Sequence, residues 1–234
     1  MSGHRPLAVL FDLDGTLIDT IDLLLESVRH AFRGRPHAPT DDEWRAGIGT
    51  PLAAQLRPYA ADDRDLGLLV DGYRTYQSEH HDRLTRCYDD VVATVQGLRE
   101  RGHPLGIVTS KADDVARRSL EHVGLMRYMR VLVGVNASTR HKPDPEPVRV
   151  ALDRLGYAPR DAVFLGDSPH DVLAGNGAGV ITVAALWGFF TRAMLEPAEP
   201  AYYIERPTDL VPLIDRLEAE RGDRGRTATA ASLP

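Results

Sequence analysis

Leu7 to Phe11 is a short unbroken run of apolar residues. A run without alternation fits a strand buried on both faces of a parallel sheet. It ends at Asp12-Leu-Asp-Gly-Thr16, where Gly15 marks a turn out of the sheet. Beyond Thr16 the spacing lengthens. Ile21, Leu24, Leu25, Val28 and Phe32 recur as on one face of a helix. Gly34-Arg-Pro-His-Ala-Pro39 breaks that pattern, and Thr40-Asp-Asp-Glu43 reads as the capping box of a second helix. Gly47-Ile-Gly-Thr-Pro51 is a further break, followed by helical stretches to about His80. No strand pattern occurs in this block, which predicts a small helical insert over residues 16–82.

The rhythm then changes. Helices are predicted over Val91–Arg101, Asp113–Val123 and Pro147–Leu155, and one starting at Val172–Gly177. Gly124 is the C-cap candidate of the second. Strands are predicted over Leu105–Val108, Val131–Val135, Ala162–Leu165 and, last, Val180–Ala184. Strands alternating with helices build βαβ units on a parallel sheet. The predicted fold is therefore α/β: a Rossmann-like parallel sheet core with an inserted α-helical cap. Residues 1–15 and 83–220 form the core and 16–82 the cap. Residues 221–234 are poor in apolar side chains and are expected to form a disordered tail.

Composition narrows the function classes. The 234 residues carry 28 basic and 34 acidic side chains, a net charge of −6. A chain of that sign has no diffuse field for gathering nucleic acid. One cysteine, Cys87, excludes an internal disulfide and a thiol-rich metal site. No apolar run approaches the roughly 18 residues a membrane helix needs, and a cytoplasmic protein without membrane or nucleic-acid partners is expected. Nearly all the basic residues are arginine; the only lysines are Lys111 and Lys142. Such selectivity suggests that a compact ammonium is needed at those two places.

Ligands of open α/β sheets bind beyond the carboxyl ends of the strands. Four predicted strands lead into polar residues: Asp12 and Asp14, Thr109 and Ser110, the Lys142 segment, and Asp167 with Asp171. Brought together, these carboxylates repel one another unless a cation sits among them. Hard oxygen ligands beside a phosphate favour Mg²⁺. Lys142 and Thr109 are placed to hold phosphoryl oxygens. One carboxylate can attack phosphorus and form an aspartyl-phosphate. A second, two residues on, can protonate the leaving oxygen and later deprotonate water. Free N–H groups of the strand-end turns suit the equatorial oxygens.

Phe-Asp12-Leu-Asp14-Gly-Thr16, Ile-Val-Thr109-Ser-Lys111, Lys142-Pro-Asp-Pro-Glu-Pro147 and Gly-Asp167-Ser-Pro-His-Asp171 together resemble the four signature motifs of the haloacid dehalogenase superfamily over residues 7–215. The resemblance implies that Asp12 is the nucleophile and Asp14 the general acid/base. An aspartate at 14 resembles the phosphatases and phosphomutases rather than the dehalogenases. Thr109, Ser110 and Lys142 are the implied phosphate-binding set, with Lys142 also counted as catalytic. Mg²⁺ is implied at Asp12, the carbonyl of Asp14 and Asp167, with Asp171 in its outer shell or nearby. The insert is similar to the helical cap of the phosphoglycolate phosphatase-like subfamily, and Gly47, Ile48, Gly49 and Thr50 fall where that cap presents its substrate loop.

The expected activity is Mg²⁺-dependent hydrolysis of a small phosphorylated metabolite, with phosphoglycolate as first substrate. Pyrophosphate follows closely, since Ser110 stands where many phosphoglycolate phosphatases have Asn. A β-phosphoglucomutase-like phosphomutase is the alternative enzyme. A non-enzymatic module that senses a phosphometabolite is the alternative from another class, and the presence of both Asp12 and Asp14 argues against it. A monomer or homodimer is expected. Arg45 is a candidate substrate contact from the cap. His141, His80 and His81 read as solvated, His170 is given no catalytic role, and Cys87 is read as structural. Trp187-Gly-Phe-Phe190 reads as core or as a loop near the site.

Overall fold

The computed structural model describes residues 5–230, with side chains through 222. β1 (Ala8–Phe11) lies in the middle of a six-stranded sheet. The other members are β4 (Leu105–Val108), β5 (Met129–Val133), β6 (Ala162–Gly166), β7 (Ile181–Ala185) and β8 (Tyr202–Ile204). The spatial order is β5-β4-β1-β6-β7-β8, and every adjacent pair is parallel. The unbroken apolar run of β1 is buried at all four positions, as a central parallel strand requires.

Side-chain alternation along β1 divides the core. Val9 and Phe11 face one apolar layer, built with α5 (Val91–Glu100), α6 (Asp113–His122) and α10 (Leu210–Ala230). Ala8 and Leu10 face the other, built with α7 (Glu146–Leu155) and α8 (Pro169–Ala178). Helices on both faces make this a three-layer, Rossmann-like α/β core.

Between β1 and α5 the chain leaves the sheet. A short antiparallel ribbon, β2 (Ile18–Asp19) with β3 (Arg86–Cys87), joins the two chain segments that lead into and out of the insert. The insert itself comprises α1 (Ile21–Ala31), α2 (Asp41–Gly47), α3 (Leu52–Leu56) and α4 (Asp63–His80). Leu24, Leu25, Val28 and Phe32 of the α1 stripe pack on Trp44, Leu56, Leu69 and Tyr73. The same cluster includes Val172, Phe190 and Leu195, which ties the insert's apolar layer to the sheet side of the molecule. The capping box at Thr40 forms: its hydroxyl accepts from Glu43 N–H, and the Glu43 carboxylate accepts from Thr40 N–H.

The structure departs from the sequence reading in several places. β5 begins at Met129 and ends at Val133, while Val135–Ala137 is a 3₁₀ turn. β7 is not the last strand, because β8 adds to the edge beyond it. The polar stretch expected to be disordered from 221 instead continues α10 to Ala230; residues 231–234 lie outside the described residues. Leu210, Leu213, Ile214 and Leu217 anchor that helix on the core. A short helix, α9 (Arg192–Leu195), links the last two strands.

Candidate active site

Because β4 and β6 flank β1, their carboxyl ends bring three polar loops side by side. Asp12 follows β1 directly, and its N–H donates to Leu165 O on β6 at 2.9 Å. Thr109 follows β4, and its N–H donates to Val133 O on β5 at 2.9 Å. Asp167 follows β6. Asp171 sits in the first turn of α8, where Ser168 caps the helix and the Asp171 carboxylate accepts back from Ser168 N–H at 3.1 Å and Ser168 Oγ–H at 2.6 Å.

Lys142 reaches this cluster from the loop before α7. Its Nζ donates to Asp12 Oδ1 and Asp171 Oδ1, both at 2.6 Å, and to Val108 O at 3.3 Å. Lys111 donates to Asp14 Oδ1 at 2.7 Å, and Thr20 Oγ–H donates to the same oxygen at 2.6 Å. The chain's two lysines therefore both stand in the site, each on a carboxylate two residues from the other. Lys111 and Thr20 were not assigned a role from sequence. Their signal was present in the scarcity of lysine and in a threonine closely following the aspartates.

Asp167 has a different environment. Its oxygens accept from Thr16 Oγ–H at 3.2 Å and Phe189 N–H at 2.7 Å. The Trp187–Phe190 loop is thus part of the site, and Trp187 Nε1–H secures it on Thr16 O at 3.0 Å. Gly15 has φ +83°, and a Cβ there would lie 2.3 Å from Asp167 Oδ2. The glycine turn lets the backbone close around this carboxylate.

Asp12, Asp167 and Asp171 are all buried, and one oxygen from each lies within 4.8 Å of the others. Burial is the main influence on Asp12 and pushes it up to about 7; Lys142 pulls it down, and Asp171 and Asp14 add to the rise. Burial, then Asp12 and Asp171, hold Asp167 well above the ordinary carboxylate range. Burial opposes charge on Lys142, yet Asp12 and Asp171 outweigh it and raise its pKa. Four carboxylates thus share two ammoniums. The deficit is two positive charges, concentrated at Asp167, which has no cationic partner among the described residues. An all-oxygen donor set with that deficit suits a divalent cation. The buried acidic triad is therefore a candidate metal centre.

The site opens onto a cavity of about 180 Å³ between core and insert. Asp12, Asp14, Thr109, Ser110 and Lys111 form its core wall. Ile48, Gly49 and Thr50 form part of the insert wall, and Ser110 Oγ–H donates to Gly49 O across the gap. The fourth residue of the expected loop, Gly47, does not line the cavity and packs on Gln55 instead. Arg45 does not line it either; it pairs with Asp42 at 3.7 Å on the outer surface of α2. The insert arginine that does line it is Arg74, on α4.

The remaining singled-out residues divide clearly. His170 lies under Gly49 with Nδ1 buried and unbonded, and burial lowers its pKa. His81 is buried rather than solvated, held between Asp82 and Ser119 at 2.7 Å each. His141 does not line the cavity. Burial pushes the Cys87 thiol up to about 11, away from nucleophilic use. Among the described residues no helix is long and apolar enough to cross a membrane.

The sequence pattern of the haloacid dehalogenase-like hydrolase family matches residues 9–185. The chain belongs to this family. It is 37% identical over 212 residues to pyrophosphatase PpaX of Bacillus velezensis, covering 90% of this chain and 97% of that protein. It is 36% identical over 208 residues to pyrophosphatase PpaX of Bacillus pumilus, covering 88% and 95%. Among solved structures, the fold is similar to a predicted phosphoglycolate phosphatase from Haemophilus somnus, with TM-score 0.82, 21% identity and coverage of 90% and 99%. A predicted phosphatase from Clostridium acetobutylicum gives TM-score 0.80 at 24% identity, covering 91% of this chain and all of that one.

Proposed function

We propose that the chain is a Mg²⁺-dependent phosphatase that hydrolyses a small phosphorylated compound through an aspartyl-phosphate on Asp12. The observation that carries this reading is the pairing of Asp12, buried among Lys142, Asp167 and Asp171, with Asp14 two residues away, both lining one cavity between core and insert.

Asp12 attacks phosphorus, and the bond to the leaving oxygen breaks as Asp14 delivers a proton to it. Asp14 then takes a proton from water, which attacks the aspartyl-phosphate and releases phosphate with a regenerated Asp12. Lys142 sets one positive charge between Asp12 and Asp171, so an anionic phosphoryl group meets less repulsion. Thr109 and Ser110 line the cavity beside Asp12; the Thr109 hydroxyl and the Ser110 N–H are the donors offered to the phosphoryl oxygens, while the Ser110 hydroxyl is committed to Gly49 O. Lys111 and Thr20 hold the Asp14 carboxylate in place. Asp12, Asp167 and the backbone carbonyl of Asp14 would hold Mg²⁺, with Asp171 beside them. When bound, the ion supplies charge neutralisation for the carboxylates and the transferring group.

Pyrophosphate moves ahead of phosphoglycolate as first substrate. Relatives at 36–37% identity along nearly their whole length bear the pyrophosphatase name, whereas the likeness to phosphoglycolate phosphatases lies in the fold. The test is phosphate release from pyrophosphate, phosphoglycolate and other small phosphoesters. Chelator should stop it, Mg²⁺ restore it, and Ca²⁺ fail to, because its longer and more numerous contacts misplace the nucleophile. Asp12→Asn should fall to background with an unchanged circular dichroism spectrum. Full activity in excess chelator, or in Asp12→Asn, would refute the reading.

A further inference from the structure

The insert as a whole is acidic. Residues 16–82 hold 7 arginines, no lysine and 12 aspartates and glutamates, a net of −5. None of those twelve acids lines the cavity. What the insert does present there is Arg74, on the fourth turn of α4.

Of the insert's seven arginines, Arg33, Arg64 and Arg74 have no ion pair among the described residues, and of these three Arg74 lines the cavity. Arg29, Arg35, Arg45 and Arg57 are each paired with an aspartate. Arg74 has no ion pair or hydrogen bond within the described residues, although Asp71 lies one turn away and lines the outer surface groove with it. The other cation of the cavity, Lys111, is already committed to Asp14 at 2.7 Å. Arg74 also lines the adjoining groove that leads outward between insert and core, so its guanidinium stands at the passage into the site.

A second, independent feature lies on the same wall. Trp44, 3% exposed, lines the cavity, and its Nε1–H is buried without any hydrogen-bond partner. A buried indole N–H left unpaired costs free energy unless a ligand accepts from it. A cation without a counter-ion and a buried donor without an acceptor among the described residues, on two residues that line the same cavity as Asp14, together fit an anion.

We infer that Arg74 and Trp44 form a subsite for the leaving group, selecting phosphoryl compounds whose leaving group is itself an anion, either a second phosphate or a carboxylate. This rests on the phosphatase reading above and adds what the insert recognises. The phosphoryl group being transferred is handled by the core wall in every case, so a neutral leaving group gains nothing from Arg74. Charge-assisted recognition of this kind is bidentate for guanidinium, which Lys reproduces only in part.

The experiment uses the full chain with Mg²⁺ and three substrates: pyrophosphate, phosphoglycolate and phenyl phosphate. Arg74→Gln should lower kcat/KM for at least one of the two anionic-leaving-group substrates by about tenfold or more, mostly through KM, and change phenyl phosphate by less than about twofold. Arg74→Lys should recover part of the loss. Trp44→Phe keeps the ring and removes the donor, and should cost about threefold on the same substrate only. The substrate that loses most identifies whether phosphate or carboxylate is the anion read. Equal losses on all three, or no loss, would overturn the subsite while leaving the phosphatase reading intact. Failure of the wild type to release phosphate from any of the three would overturn that reading itself, and the subsite with it.

Discussion

At the core wall of the cavity, charged groups are fastened to one another. Lys142 contacts Asp12 and Asp171 at 2.6 Å, and Lys111 contacts Asp14 at 2.7 Å. At the insert wall, among the described residues, Arg74 has no counter-ion and Trp44 no acceptor, and Gly49 is hydrogen-bonded to the core through one hydroxyl of Ser110. The first wall is preorganised, which suits chemistry common to every substrate. The second is left with unused donors, which suits recognition of what differs between substrates. The two walls also differ in origin. The core wall is assembled from adjacent strand ends, so sheet order fixes it; the insert wall is assembled from helices packed on one another and tolerates change more readily.

The largest effect should come from breaking the core wall. Lys142 has a side chain only 1% exposed between two buried carboxylates. Lys142→Met leaves both without a cation, and breaking a buried pair in this way costs about 3–5 kcal/mol. Urea unfolding in chelator should show that loss, and turnover should fall to background. A loss below about 1 kcal/mol, typical of an exposed pair, would mean that the cluster is solvated and the proposed contrast is wrong.

A smaller effect is expected at the seam. Gly49 has φ +100°, and a Cβ there would lie 2.9 Å from Ser168 Oγ and 3.2 Å from His170 Cδ2. Gly49→Val should displace the loop and raise KM for the physiological substrate about tenfold, the scale of 1–3 kcal/mol of backbone strain. The rise should exceed that for a generic aryl phosphate; equal rises would show that this loop does not read the leaving group. Ser110→Ala removes only the hydrogen bond to Gly49 O. A single such bond is worth about 0.5–1.5 kcal/mol, so KM should rise about two- to tenfold with kcat held. A fall in kcat alone would place Ser110 in the chemistry instead.

The difference between the walls also explains what was legible in the sequence. Asp12, Asp14, Thr109 and Asp167 could be found because each follows an apolar strand run, and parallel-sheet topology brings such ends together; Lys142, nine residues beyond β5, was marked by its motif and by lysine scarcity. Lys111 was marked by lysine scarcity, but its partner Asp14 depends on a turn geometry no local pattern shows. Arg74 was not legible at all: it is one arginine in a polar helix, and its place at the cavity depends on how α1 and α4 pack. Arg45 was the natural guess from its nearness to Gly47, yet helix phase turns it outward to Asp42. β8 was missed because three residues after a proline-rich stretch carry little pattern. α10 was cut short because its later turns are polar and owe their helicity to the anchored start.

The smallest effect should separate the insert's own architecture from its recognition role. Arg35 grips Asp65 with two hydrogen bonds at 2.7 and 3.0 Å, tying the loop after α1 to the first turn of α4. That grip, with the Ala61 N–H, lowers the Asp65 pKa to about 2. A free aspartate titrates near about 3.9. Folding therefore favours the ionised form, and the pair's contribution is fully present above the unfolded value. It is lost as pH falls from about 4 through about 2. The pair is partly exposed and screened, so its share of stability is modest. Asp65→Asn should lower the melting temperature slightly at pH 6, and the gap from wild type should narrow as pH falls below about 4 and close near about 2. Turnover per folded molecule at pH 6 should stay within about twofold on all three substrates, since Asp65 does not line the cavity. A gap that persists unchanged down to about pH 2 would show that the carboxylate's charge is not what holds α4 in place. A selective loss on one substrate would show that α4, and Arg74 with it, shifts when this pair is cut.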